Sequence, residues 1–208
     1  MAKTVIDFRF VELRYELWCL KQYRQSLERQ LEIMWKNAAL LAGSDPDYEL
    51  ADQERRETVE SVIPRYYRGP FLITLWSVFE SGIFDISRYI AEKKGVALNL
   101  SDIKGDTPRE RWNKYFTHVL KWDLGIATAD WTRLREIQDL RNAIAHTNGR
   151  ITLLNDTLAR KIRSWAKQNR GIKLRYDLIL LSAKYIDDAG VFVDRVLSGI
   201  VERVLKET

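Results

Sequence analysis

Arg141, Asn142 and His146 are the residues whose types and spacing could do chemistry. Histidine changes its charge near neutral pH and can take up and return a proton, while arginine offers a rigid fork of donors matched to a phosphate. Such a pair supplies an acid–base group and a cation to stabilise an anion, two requirements of displacement at phosphorus. Nothing else in the chain competes with it. The sequence holds no glycine-rich phosphate loop, no Cys/His or His/carboxylate metal spacing and no nucleophile elbow, so neither a cofactor nor a metal is expected.

A helix must position these residues, and its limits can be read from residues 129–150. Asp130 is a good N-cap, and Asn148-Gly149 readily takes the left-handed conformation that closes a helix. Between them Trp131, Leu134, Ile137, Leu140 and Ile144 recur every three or four residues and make one buried stripe. Arg135, Asp139, Asn142 and His146 share a polar face, on which Asn142 stands one turn before His146 and could orient its imidazole or bond a substrate. Asp139 and Arg135 flank that face, either as supporting and substrate-contacting groups or as an ordinary exposed ion pair. Arg141 falls inside the apolar stripe, where an unpaired cation would cost several kcal/mol, so it needs a partner.

The run Leu140-Arg141-Asn142-Ala143-Ile144-Ala145-His146, followed by Thr-Asn-Gly-Arg-Ile, resembles the signature of the HEPN superfamily. That signature is an Arg, commonly followed by Asn, with a His five to seven residues later near the end of a helix. The resemblance covers roughly residues 65–206, and the first 64 only loosely. It implies a metal-independent endoribonuclease with Arg141 and His146 as catalytic residues, Asn142, Glu80 and Asp139 supporting them, and Arg135 and Arg150 on the RNA. It also implies a composite site in a homodimer, a 2′,3′-cyclic phosphate product, and a setting in RNA restriction, as a toxin or in antiphage defence, with an antitoxin or regulatory protein as a further partner. Geometry supplies its own reason for two copies. Five positions place Arg141 and His146 about 140° apart around a helix, so one helix struggles to bring both to one phosphate.

The neighbouring elements are predicted to be helical. From about Val5 to Leu41 there is no Gly or Pro, and Ile6, Phe10, Leu13, Leu17, Leu20, Leu27, Leu31, Met34, Ala38 and Leu41 alternate steps of four and three, with Arg24 in the one gap. This heptad pattern predicts a single helix of about 55 Å with a coiled-coil seam, part of which should project or pair. Gly43-Ser44-Asp45-Pro46 should break it, and a more polar helix should run from about Asp47 to Ile63 and stop before Pro64, forming either a dimerisation arm or an intrachain hairpin. Gly69-Pro70 should open a third helix from Phe71 to about Lys94, the most apolar in the chain. On it Glu80 projects to the buried side and is expected to pair with Arg141; otherwise Glu80 caps another group, or Arg141 points into a wet cleft.

Gly95 to Asp106 reads as a loop, and Thr107-Pro108-Arg109-Glu110 as a capping box starting a helix to about Leu120, with Trp112, Tyr115, Phe116 and Val119 inward. His118 there has no companion at ligand spacing and reads as a surface or packing residue. Ile151 to Leu154 is predicted as a short strand and the alternating stretch Gly171 to Leu181 as another, with a basic helix from Asn155 or Asp156 to about Asn169 between them. A last helix should run from about Ser182 to Lys206. The expected fold is therefore all-α in the main, a HEPN-like helical bundle with at most a small β-hairpin. Residues 1–64 would form a helical hairpin or coiled-coil arm and 65–208 the HEPN-like domain, unless the two are continuous.

Composition bounds the alternatives. At 208 residues and 46% hydrophobic content the chain can bury a proper core. Its one cysteine, Cys19, cannot form an internal disulfide, no signal-peptide pattern opens the sequence, and the longest apolar run ends at Glu80, well short of the roughly 20 residues of a membrane span. A cytoplasmic protein without a membrane partner is expected. A net charge of +5 favours an acidic partner only modestly; the basic residues from Arg133 to Arg175 are either contacts for RNA or the solvated faces of helices. The seven Trp mostly fall on inward positions and read as core. Two other functions fit the same residues: a non-catalytic HEPN-like dimer that binds nucleotide, RNA or a protein, and a coiled-coil adaptor.

Overall fold

The computed structural model describes residues 7–40, 53–54, 57–168 and 170–207. Among them the chain is mainly α, with six α-helices and one two-stranded antiparallel hairpin. Helix α1 spans Phe8–Leu40. Its heptad seam is buried at Phe10, Leu13 and Leu31, while Arg24, in the gap of the pattern, holds Asp187 at 2.6 Å. The break expected at residues 43–46, and most of the polar helix after it, lie outside the described residues.

The stop expected at Pro64 is not there. A π-helical turn, Thr58–Val62, leads directly into helix α2, Ile63–Lys94, which continues past both Pro64 and Pro70. The wide turn sits where the hydrogen-bond ladder must skip a donor: Ile63 N–H bonds Thr58 O, and the next residue, Pro64, has no N–H. Contacts made by the first two turns of α2 outweigh the proline penalty of about 3 kcal/mol. Arg68 forms a bidentate pair with Glu28 at 2.8 and 2.7 Å and reaches the Leu181 carbonyl at 3.2 Å, and Gly69 lies against Ile144 so closely that a Cβ there would be 3.0 Å from Cγ2.

Helix α3, Pro108–Asn113, starts as predicted, with Thr107 Oγ1 accepting from Glu110 N–H at 3.2 Å. The reciprocal bond goes one residue further back, from Asp106 N–H to Glu110 Oε2. The helix widens into a π-helical stretch, Lys114–Val119, in which Tyr115 and Phe116 are buried and His118 is exposed. After helix α4, Thr128–Thr147, the expected strand at Ile151 is instead a 3₁₀ turn, Ile151–Leu153. Helix α5, Asp156–Lys167, is capped by Asn155, whose Oδ1 accepts from Leu158 N–H at 2.9 Å. The hairpin forms wholly within the stretch read as one strand: β1, Ile172–Arg175, pairs with β2, Leu178–Leu181, from Ile172 opposite Leu181 to Arg175 opposite Leu178. Helix α6, Ala183–Glu207, completes the chain, and no described helix is long and apolar enough to cross a membrane.

The residues cluster into two compact units, and the long helices contribute segments to each. One unit comprises Met1–Leu17, Ser77–Leu134 and Val191–Thr208. Aromatic packing dominates it: Phe79 meets Trp112 edge-on at 5.6 Å, Trp112 stacks with Trp131 at 6.2 Å, and Phe10 meets Tyr89 at 4.9 Å. The other comprises Trp18–Trp76 and Arg135–Gly190, and it contains the hairpin, α5 and the residues from Arg135 to His146.

Gly82 of α2 marks the closest approach within the first unit, where a Cβ would stand 3.0 Å from Leu13 Cδ1 and 3.1 Å from Leu197 Cδ2. A valine there has no room, so Gly82→Val should cost about 1–3 kcal/mol, read as a lower urea midpoint with an unchanged slope.

Candidate functional site

The helix that carries the candidate residues begins two positions before the expected cap. Trp131 N–H already bonds Ala127 O at 2.9 Å, which leaves the Asp130 carboxylate to take Arg195 through both guanidinium nitrogens, at 2.7 and 3.2 Å. Its buried stripe is Trp131, Leu134, Ile137 and Leu140 as predicted, and it ends at Ala143, with Ile144 half-buried over Gly69. At its C-terminus Asn148 and Gly149 both take positive φ, 50° and 72°, as the sequence required. Thr147 Oγ1 donates to Ala143 O at 2.7 Å, and Gly149 N–H reaches the same carbonyl at 3.3 Å, which closes the last turn.

The last two turns divide the motif by exposure. Arg141 is half-buried: its Nη1 donates to Asn142 Oδ1 at 3.0 Å, and its Nε is buried without an acceptor. Asn142 is therefore engaged with Arg141 and not with the imidazole one turn on. His146 is exposed and has no hydrogen-bond partner among the described residues. The expected partner of Arg141, Glu80, is half-buried and belongs to the other unit; the bond Arg141 makes is to its neighbour's short amide, which needs no second helix.

The supporting acids sort differently from expectation. Asp139 pairs with Lys161 of α5 at 3.3 Å and not with Arg135, which stays exposed. The helix also holds a carboxylate that periodicity did not mark: Glu136, 5% exposed, accepts from Tyr185 Oη at 3.2 Å and from Arg170 Nη1 at 3.1 Å. Its angular position, beside Ile137 and Leu140, was the one available sign. Among the described residues, no three His, Cys, Asp or Glu side chains gather as a metal site.

No family model, curated protein or solved structure matches the chain. The site is therefore read from its own surroundings. Directly after His146 the chain is held to the hairpin: Ile179 N–H bonds Gly149 O and Ile151 N–H bonds Asp177 O, each at 2.9 Å, and Arg150 forms a bridge with Leu178. The Asp177 carboxylate accepts from Thr152 Oγ1 at 2.6 Å and Thr152 N–H at 2.8 Å. These bonds hold it below the usual carboxylate range, with Arg150 and Arg163 adding a smaller pull. Arg65 of α2 donates to the Asn148 carbonyl. Arg65, Lys173 and Arg175 line a cavity of about 390 Å³ there. Arg65 and the exposed Tyr176 carried no pattern that marked them as part of a site, since α2 brings the one and the hairpin the other to the helix end.

These environments predict opposite responses to truncation. Glu136→Ala removes hydrogen bonds in the core and should lower stability by about 1–3 kcal/mol, whereas His146→Ala, at an exposed and unbonded position, should change it by less than about 0.5 kcal/mol. Paired urea melts of the two variants check both values.

Proposed function

We propose that the chain is a metal-independent endoribonuclease of HEPN type, acting as a homodimer in which Arg141 and His146 from two copies face one cleft. The observation that carries this reading is the state of the two side chains: an exposed imidazole with no hydrogen-bond partner among the described residues, and a guanidinium that keeps a buried Nε donor without an acceptor. An acid–base group free for substrate and a cation to stabilise the phosphoryl oxygens are what RNA transesterification needs. His146 would take the proton from a ribose 2′-hydroxyl, the 2′-oxygen would attack the adjacent phosphorus, and the P–O5′ bond would break as a proton returns to the leaving oxygen. The products are a 2′,3′-cyclic phosphate and a 5′-hydroxyl end. Arg141 would stabilise the additional charge on the phosphoryl oxygens.

The same geometry supports a dimer. With Arg141 half-buried and His146 exposed on another face of α4, a second copy is the simplest source of the missing group at each phosphate. RNA restriction, as a toxin or against phage and under an antitoxin or regulatory protein, is the setting that goes with this activity. One observation favours a second reading. Because Asn142 satisfies part of Arg141 within the helix, Arg141 can serve structure alone, in a dimer that binds nucleotide, RNA or protein without cleaving it.

Gel analysis of total RNA incubated in excess EDTA with wild-type protein and with His146→Ala separates the two. Cleavage by the wild type alone, with equal melting temperatures, is the expected result. Intact RNA in both lanes would transfer support to the binding dimer.

A further inference from the structure

We infer that the hairpin beside the end of α4 is an RNA subsite, in which the cavity edged by Arg65, Lys173 and Arg175 takes a phosphodiester of single-stranded RNA and Tyr176 stacks on an adjoining base. The inference rests on the ribonuclease reading, because it supposes that the strand continues past His146. Charge is its first support. The cavity, about 390 Å³, lies within the range of ligand pockets and carries Arg65, Arg68, Lys173 and Arg175 against one lining carboxylate, Glu60. Two of those cations are neutralised outside the lining: Arg68 by Glu28 at 2.7 Å and Arg175 by Glu57 at 3.0 Å. The other two are not. Arg65 donates to a neutral carbonyl, that of Asn148, and Lys173 is exposed with no ion pair among the described residues. The hydroxyl of Ser61, held by Arg175 Nη1 at 2.7 Å, adds the kind of polar group that accompanies basic residues on a nucleic-acid backbone.

The second support is Tyr176. It is 88% exposed, so folding gains almost nothing from its ring, and its φ is 53°, at the first central position of a two-residue hairpin turn where glycine is the usual occupant. An aromatic residue in left-handed backbone that buries little surface is costly to the fold and suited to an external partner. A cation flanks it: Arg175 Cζ lies 5.8 Å from the ring centroid. Basic groups interleaved with an exposed aromatic ring are how proteins hold unpaired RNA.

Rigidity is the third support. The turn and the cavity are bonded to residues 148–152 through Arg65 to Asn148 O, Ile179 N–H to Gly149 O, Ile151 N–H to Asp177 O, and Thr152 to the Asp177 carboxylate. A strand with its reacting phosphate at His146 would meet a platform already in place, with little ordering left to do on binding.

The experiment measures fluorescence anisotropy of a labelled single-stranded oligoribonucleotide bound to full-length His146→Ala protein, at several salt concentrations, with Tyr176→Asn, Tyr176→Phe or Lys173→Ala added. Tyr176→Asn should weaken binding roughly tenfold while leaving the melting temperature equal or higher, because asparagine takes positive φ at less cost than tyrosine. Tyr176→Phe, which keeps the ring, should bind like the parent. Lys173→Ala should flatten the dependence of log Kd on log salt by about 0.7, one phosphate contact on a single strand. Parental affinity and salt slope in Tyr176→Asn and Lys173→Ala would overturn the subsite, as would a parent that binds no RNA. The cleavage gel decides the ribonuclease reading separately: cleavage with unaltered variant affinities sinks the subsite alone, and weakened variants of a protein that never cleaves sink the nuclease alone.

Discussion

The left-handed pair Asn148–Gly149 is the constraint on which the surroundings of His146 depend. With φ of 50° and 72° the two residues turn the chain sharply off the axis of α4, and the backbone groups released there become the attachment points of everything nearby. Gly149 O accepts from Ile179 N–H in β2, and the Asn148 carbonyl accepts from Arg65 in α2. A Cβ on Gly149 would find only ordinary contacts, none nearer than 3.7 Å, so conformation and not space is what calls for glycine there. If the helix ran one turn further, the hairpin would lose its bonds to residues 149–152, and His146 would sit in mid-helix.

Arg141 and Glu136 show two ways for one helix to carry charge beside a buried stripe. Glu136 is satisfied by other elements, from the tyrosine of α6 and the arginine after α5, and such a buried carboxylate contributes to holding those elements in register. Arg141 turns inward on its own helix, takes Asn142 and leaves Nε unsatisfied. A half-buried guanidinium with an unsatisfied donor is a cost to folding. Arg24, Arg68 and Arg195, by contrast, each find a carboxylate.

How much of this was legible in the sequence depended on how local the cause was. The seam of α1, the Thr107 cap, the Asn155 cap and the closing Asn-Gly all follow from residues within a turn or two of one another, and they stand where periodicity and capping chemistry put them. Pro64 and Pro70 misled because proline's local preference was overridden by distant contacts, namely Arg68 with Glu28 and Gly69 with Ile144, which no window of sequence contains. The segment Ile151–Leu153 has strand-like residues but spends its hydrogen bonds on a 3₁₀ turn and on Asp177, the tip of a hairpin some 25 positions on. The motif residues were visible as types and spacing; Arg65 and Tyr176, which complete their surroundings, were not, because only tertiary pairing brings them to the helix end.

The basic character of the chain takes on a different meaning once partners are assigned. A surplus of +5 spread evenly over solvated helix faces would be without consequence for a partner. In the unit that holds His146, however, the cations separate into two sets. Arg24, Lys161, Arg170, Arg68 and Arg175 each have a carboxylate within 2.6 to 3.3 Å. Arg65, Arg135, Arg150 and Lys173 are some of those with no such ion pair among the described residues, and two of them meet the left-handed pair directly: Arg150 follows Gly149, and Arg65 holds Asn148 O. Charge left uncompensated beside an exposed imidazole costs the fold some self-repulsion and yields nothing internally. On the proposed ribonuclease reading, a polyanion passing the end of α4 would compensate that charge.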